Sequence, residues 1–170
     1  MMDIANLESL SYFAEMSSSE VDIIAGSMRV DAWEEGAAVL LQGEQGGGVY
    51  FLLEGSVRVE HRLEGGQIIQ VGVLHPGAVF GLLGVLEASP RAASCVAAGK
   101  VRCAVMDRGD FVDLIEGKST LALRFQLAIL RCMARDIRST NTKLAELVAY
   151  PACEVSFSDL VEVFPETEQP

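Results

Sequence analysis

From Met28 to Met106 the chain repeats one texture: short apolar runs such as Ala37-Ala38-Val39-Leu40-Leu41 and Val49-Tyr50-Phe51-Leu52-Leu53, broken every few residues by glycine. Runs this short, closed by turn residues, are too brief for helices and fit strands joined by tight turns. Glu54-Gly55 separates one run from Ser56-Val57-Arg58-Val59-Glu60. The alternation there buries Val57 and Val59 and exposes Arg58 and Glu60. Gly65-Gly66 marks the next turn. Roughly eight such strands with no long helix between them predict an antiparallel β-roll of the jelly-roll kind, not parallel βαβ units.

Helical patterns flank this region. Over residues 7–26, Leu10, Phe13 and Met16 precede a Ser17-x-x-Glu20 capping box that leads into Val21, Ile23 and Ile24, which predicts two short helices. Asp107-Arg108-Gly109-Asp110 opens a short helix with Phe111, Leu114 and Ile115, and Gly117 stops it as a C-cap. Ser119 then caps a long helix that Pro151 ends. Leu123, Leu127, Leu130, Ala134, Ile137, Asn141, Leu144 and Val148 follow at alternating steps of four and three, a heptad seam suited to an identical partner helix. The other use of such a seam is packing on the β core. A core-facing stripe is broader, and a polar Asn141 is costly there without a partner. A homodimer through the long helix is therefore expected. Residues 1–149 make one domain (short helices 7–26, β-roll 28–106, helices 107–149), and 150–170 form an acidic tail. The tail carries five acids and no Lys or Arg, with Phe157, Leu160, Val161 and Phe164 spaced for one apolar helix face. It is either a docking segment for a protein partner or a frayed end.

Composition narrows the function. Thirteen basic against 24 acidic residues give a formal charge of −11, so the surface as a whole repels nucleic acid and anionic membrane, and an anionic ligand has to be held locally. Met1 to Leu10 has no basic leader region, and no apolar run reaches the roughly 18 residues of a membrane helix, so a cytoplasmic location without membrane contact is expected. Cysteines 95, 103, 132 and 153 lack paired spacing and are expected as reduced, buried thiols. A jelly-roll metalloenzyme needs an His-x-His pair, a carboxylate and a further histidine. This chain has only His61, in a hairpin strand, and His75, before a Pro-Gly turn, both expected to be structural or solvated. No nucleophile and base stand in a supporting motif, so neither an enzyme nor a metal cofactor is expected.

The stretch that carries chemistry is Pro76-Gly77-Ala78-Val79-Phe80-Gly81-Leu82-Leu83-Gly84-Val85-Leu86, followed by Ser89-Pro90-Arg91-Ala92-Ala93. Gly81 lets the backbone bend sharply, and the apolar residues after it suit a short helix whose free N–H groups can meet an anion. Arg91, flanked by small Ala92 and Ala93, can return to the same spot and offer a planar fork of donors to a phosphate. The alternatives are a surface arginine in a loop, or a degenerate site in which Arg91 bonds a neighbouring carbonyl or carboxylate.

With Gly36, Gly43-Glu44, Gly55-Ser56-Val57, Pro76-Gly77, Phe80-Gly81 and Pro90-Arg91-Ala92-Ala93 in register, the chain resembles the cyclic-nucleotide-binding domains of the cAMP receptor protein and protein kinase A regulatory subunit type from about Leu10 to Ala149. The resemblance implies a β-roll that encloses a cyclic nucleotide, cAMP favoured over cGMP. Phe80, Gly81, Leu82, Leu83, Arg91, Ala92 and Ala93 would stand at the phosphate and ribose, and Thr140 and Asn141 at the base. It implies a sensor in signal transduction. The winged helix-turn-helix of the family's transcription factors is not expected here, so direct DNA binding is not expected either. One departure stands out: Leu82 replaces the usual Glu that accepts the ribose 2′-hydroxyl. A hydrogen bond to a charged group contributes about 1.5–3 kcal/mol, or roughly 10- to 100-fold in affinity, so weakened binding is expected. A ligand-free interaction module is the other outcome. Glu87, the nearest carboxylate, lies beyond the expected helix.

Overall fold

A computed structural model describes Leu10 and residues 13–149. The chain divides into two units, 1–132 and a second that begins at Met133. The first holds the fold, and the described part of the second is the distal stretch of the long helix.

Helix α1 spans Ser18–Ala25, and its expected capping box is complete: the Ser17 side chain accepts from the Glu20 N–H while the Glu20 carboxylate accepts from the Ser17 N–H at 2.8 Å. The Arg124 guanidinium also bonds that carboxylate. Eight strands follow: β1 (Met28–Trp33), β2 (Ala38–Leu40), β3 (Gly48–Glu54), β4 (Val57–Arg62), β5 (Ile68–Leu74), β6 (Val79–Phe80), β7 (Ser94–Ala97) and β8 (Val101–Asp107), with the short helix α2 (Leu82–Leu86) between β6 and β7. They form two antiparallel four-stranded sheets, in the order β1-β8-β3-β6 and β2-β7-β4-β5. The predicted roll and its strand count are what the structure has.

The two sheets bury different patterns for a physical reason. Leu52 and Phe80 from the first sheet and Val57, Cys95 and Ala97 from the second meet in the roll interior with Cys103 and Val105. The intervening residues of β3 and β8, namely Val49, Phe51, Ala104 and Met106, are equally buried. These strands are covered on both faces, so they read as continuous apolar runs. In β4 Val57 and Val59 pack on the interior, whereas Arg58 and Glu60 pair with each other on the outer side at 3.2 Å. One face meets water, and the sequence alternates.

Phe51 is covered by Phe13 (ring centroids 6.1 Å apart), Phe13 stacks on Phe125 (6.4 Å), and Phe125 meets Phe111 edge to face (5.8 Å). Phe111 belongs to α3 (Arg108–Glu116) and Phe125 to α4 (Thr120–Ala149). Ser119 Oγ accepts the Ala122 N–H at the start of α4, as expected. Gly117 ends α3 as expected, in an extended conformation (φ −64°). Its glycine is demanded by space, since a Cβ there would lie 2.8 Å from that of Ala122.

Helix α4 has two apolar faces. Ala122, Phe125, Ala128, Ile129 and Cys132 are buried. The heptad residues are not those that pack on the core: Leu123 (57% exposed), Leu127 and Leu130 (62%) stay open in the single chain. Within the second unit Ile137, Leu144 and Val148 are exposed. The acidic tail 150–170, with Cys153, lies outside the described residues, as do residues 1–9, 11 and 12. Among the described residues no helix is long and apolar enough to cross a membrane.

Candidate functional site: a buried guanidinium beside a glycine bend

Strand β6 runs antiparallel to β3, pairing Phe80 with Tyr50, and delivers the chain to Gly81. Gly81 is left-handed (φ 82°), and no side chain caps the helix α2 that it opens. Opposite, the loop of residues 43–47 is bonded to the segment carrying Arg91. The Arg91 N–H donates to the Glu44 carbonyl at 2.8 Å, the Gly43 N–H donates to the Arg91 carbonyl at 2.9 Å, and Gln45 bridges Pro90. Gly46 sits so close to α2 that a Cβ would lie 2.5 Å from the Gly84 carbonyl oxygen.

Between these walls lies Arg91, only 5% exposed and the one buried charged side chain among the described residues. Its Nη1 donates to the Gly81 carbonyl at 2.6 Å and its Nη2 to the Gly48 carbonyl at 2.8 Å. Its Cζ stands 5.8 Å from the centroid of the Tyr50 ring, which in turn stacks on Phe80 at 5.2 Å. Among the described residues no carboxylate lies within ion-pair distance of Arg91. Arg91 is thus neither a surface residue nor a salt-bridged one. It does bond neighbouring carbonyls, but a guanidinium has five N–H donors and these bonds engage two.

The charge marks its surroundings. Burial pushes the Tyr50 hydroxyl above the usual phenol range, and Arg91 partly opposes the shift. Burial also pushes the Cys95 thiol up to about 11, again opposed by Arg91, and the Cys103 thiol up to about 12.

Of the expected phosphate and ribose residues, the structure brings Phe80, Gly81 and Arg91 together. Leu82 is buried, Leu83 and Ala92 are exposed, and Ala93 is half-buried. Glu87 is exposed at the C-terminal end of α2. Thr140 and Asn141 are exposed on the distal stretch of α4, in the second unit. His75 is exposed and meets Ser56 Oγ at 3.4 Å.

Three contributors were not read from the sequence: the Gly48 carbonyl, the Tyr50 ring, and Gly84. A Cβ on Gly84 would stand 3.3 Å from the Arg91 side chain. The available signals were the run Gly46-Gly47-Gly48 and the second glycine of Phe80-Gly81-Leu82-Leu83-Gly84.

Residues 30–118 match the family described as the cyclic nucleotide-binding domain, a span of just over half of the chain. The chain belongs to that family. It is 26% identical over 136 residues to a CRP-like cAMP-activated global transcriptional regulator of Mycobacterium tuberculosis, a match covering 80% of this chain and 59% of that protein. It is similar in structure to the catabolite activator protein of Thermus thermophilus (TM-score 0.64, 26% identity, 81% of this chain and 62% of that one). It is also similar to the regulatory domain of Toxoplasma gondii protein kinase A crystallised with cAMP (TM-score 0.65, 25% identity, 78% and 48%). The chain therefore spans about three fifths of the length of the first two relatives.

Proposed function

We propose that this chain is a cyclic-nucleotide sensor of cAMP-preferring type, acting in signal transduction as a cytoplasmic homodimer. The observation that carries the reading is Arg91: a buried guanidinium with no carboxylate partner among the described residues, beside a left-handed glycine bend with no side-chain cap. A buried cation is costly unless an anion or a full set of acceptors compensates it. An equatorial phosphate meeting Arg91 and the amides after Gly81 supplies that charge. The T. gondii domain, named for its cAMP complex, supports the choice of ligand. Thr140 and Asn141 are the base contacts of the same reading, and the exposed heptad face of α4 is its dimer seam. Leu82 carries no acceptor, so affinity falls below that of a site with a carboxylate there by about 10- to 100-fold.

Calorimetric titration with cAMP and cGMP tests the reading. Saturable heat with cAMP the tighter ligand, abolished in Arg91→Leu and with the cAMP preference reduced in Thr140→Ala/Asn141→Ala, is the expected result. No heat at millimolar ligand refutes it. A second reading, a ligand-free structural module, is favoured by the burial of Leu82 and by the two carbonyls that already engage Arg91.

A further inference from the structure

His61 continues the interior face of β4. Val57 and Val59 pack on the roll interior, and β4 pairs with β7 without a register shift, Val57 to Ala97 through Glu60 to Ser94. The irregularity between β4 and β5 skips Val71 and so falls in β5. Alternation therefore carries His61 to the same side as Val57 and Val59. There its Nδ1 lies 3.1 Å from the carbonyl oxygen of Ala92, the residue next to Arg91. The end of β4 is also tethered. The Arg62 N–H donates to Gln42 Oε1 at 2.7 Å, the Gln42 amide donates to the Arg62 carbonyl at 3.1 Å, and the Gln42 N–H donates to Ser94 Oγ at 3.0 Å. The imidazole is thus fixed at the edge of the cassette.

The partner decides the tautomer. A carbonyl oxygen only accepts, so Nδ1 carries the proton, and in the neutral ring Nε2 is left with a lone pair and no hydrogen. Such an atom repels a phosphate oxygen and suits a hydroxyl donor. We propose that His61 is the sugar-recognition residue of this site, its Nε2 accepting the ribose 2′-hydroxyl of a cyclic ribonucleotide where Leu82 offers no acceptor. The proposal rests on the cyclic-nucleotide reading and adds to it a selection for ribose over deoxyribose.

The test compares cAMP with 2′-deoxy-cAMP. One net hydrogen bond is expected to favour cAMP by about 3- to 10-fold in the native chain. His61→Asn keeps an amide donor at the position of Nδ1 but has no atom at that of Nε2. It is expected to lose the discrimination while keeping its melting temperature. His61→Gln, whose amide oxygen reaches the position of Nε2, is expected to retain it. With only two histidines in the chain, imidazole ¹⁵N spectra give a readout without substitution: the His61 Nε2 signal moves on adding cAMP and not on adding the deoxy analogue. Equal affinity for the two ligands in the native chain, or discrimination that survives His61→Asn, overturns the role of His61 and leaves the sensor reading standing. If neither nucleotide binds, the sensor reading fails and this inference fails with it.

Discussion

Gly81 and Gly77 are both left-handed, at φ 82° and 93°, yet they differ in what surrounds them. A Cβ on Gly77 would meet nothing within 4 Å, whereas one on Gly81 would lie 2.7 Å from Arg91 Nη1 and 3.2 Å from the Gly48 carbonyl oxygen. Gly77→Ala therefore bears the backbone term alone, about 1–2 kcal/mol for an L-residue in the left-handed region. Gly81→Ala bears the same term and must also displace the guanidinium from at least one of its two carbonyls, a charge-assisted bond contributing about 1.5–3 kcal/mol. The sum is about 2.5–5 kcal/mol, which for a chain of this size lowers the melting temperature by roughly 5–20 °C. Urea titration of both variants isolates the difference, and calorimetry shows whether the site goes with it. If Gly81→Ala is no more destabilising than Gly77→Ala, Arg91 does not occupy the bend as described.

Two further outcomes follow from exposure and burial. Leu130→Glu combined with Ile137→Glu removes apolar side chains that are about 60% exposed in the single chain; monomer stability should change by less than about 0.5 kcal/mol, while sedimentation shifts from dimer to monomer, and an unchanged sedimentation profile would exclude this seam. The Cys95 and Cys103 thiols are held up at about 11 and 12 by burial. Burial disfavours the thiolate, so the stability they contribute is complete below the ordinary thiol range near 8.5 and is lost as pH rises through 11 to 12. The native chain should melt lower at pH 10.5 than at pH 8, and Cys95→Ala/Cys103→Ala should narrow that gap.

What was legible in the sequence was what is written locally. The β4 alternation and the Ser17–Glu20 box each depend on neighbours within a few residues, and both stand in the structure. The bend at Gly81 was legible because a sharp backbone turn of positive φ favours glycine. The acceptors of Arg91 were not, since Gly48 lies 43 residues away and contributes a carbonyl that no residue type advertises. His61 was expected to be structural or solvated from its place in a hairpin strand, and its main-chain partner, 31 residues off, was not legible. On α4 the leucine-rich seam is the more conspicuous pattern, since three of the five inner-face residues, Ala122, Ala128 and Cys132, are small.

The same contacts bound how a ligand could be felt at the helices. Helix α2 reaches α3 through the Arg108 side chain, whose Nε donates to the Val85 carbonyl at 3.4 Å, and α3 reaches α4 through Phe111 and Phe125. Contiguity of this kind is a route and not a free energy, because a ligand shifts an equilibrium only by its differential affinity for the two states. Full reversal of a two-state element, from about 1:99 to 99:1, takes about 5.5 kcal/mol. The two carbonyl bonds of Arg91, at about 1.5–3 kcal/mol each, together approach that figure. A phosphate that drew the guanidinium off both would therefore command enough energy to free α2 from β3, whereas one that merely used the three remaining donors would bind without moving it. On the sensor reading proposed above, signalling is expected if Arg91 leaves both carbonyls for the anion, and binding without signalling if it keeps them.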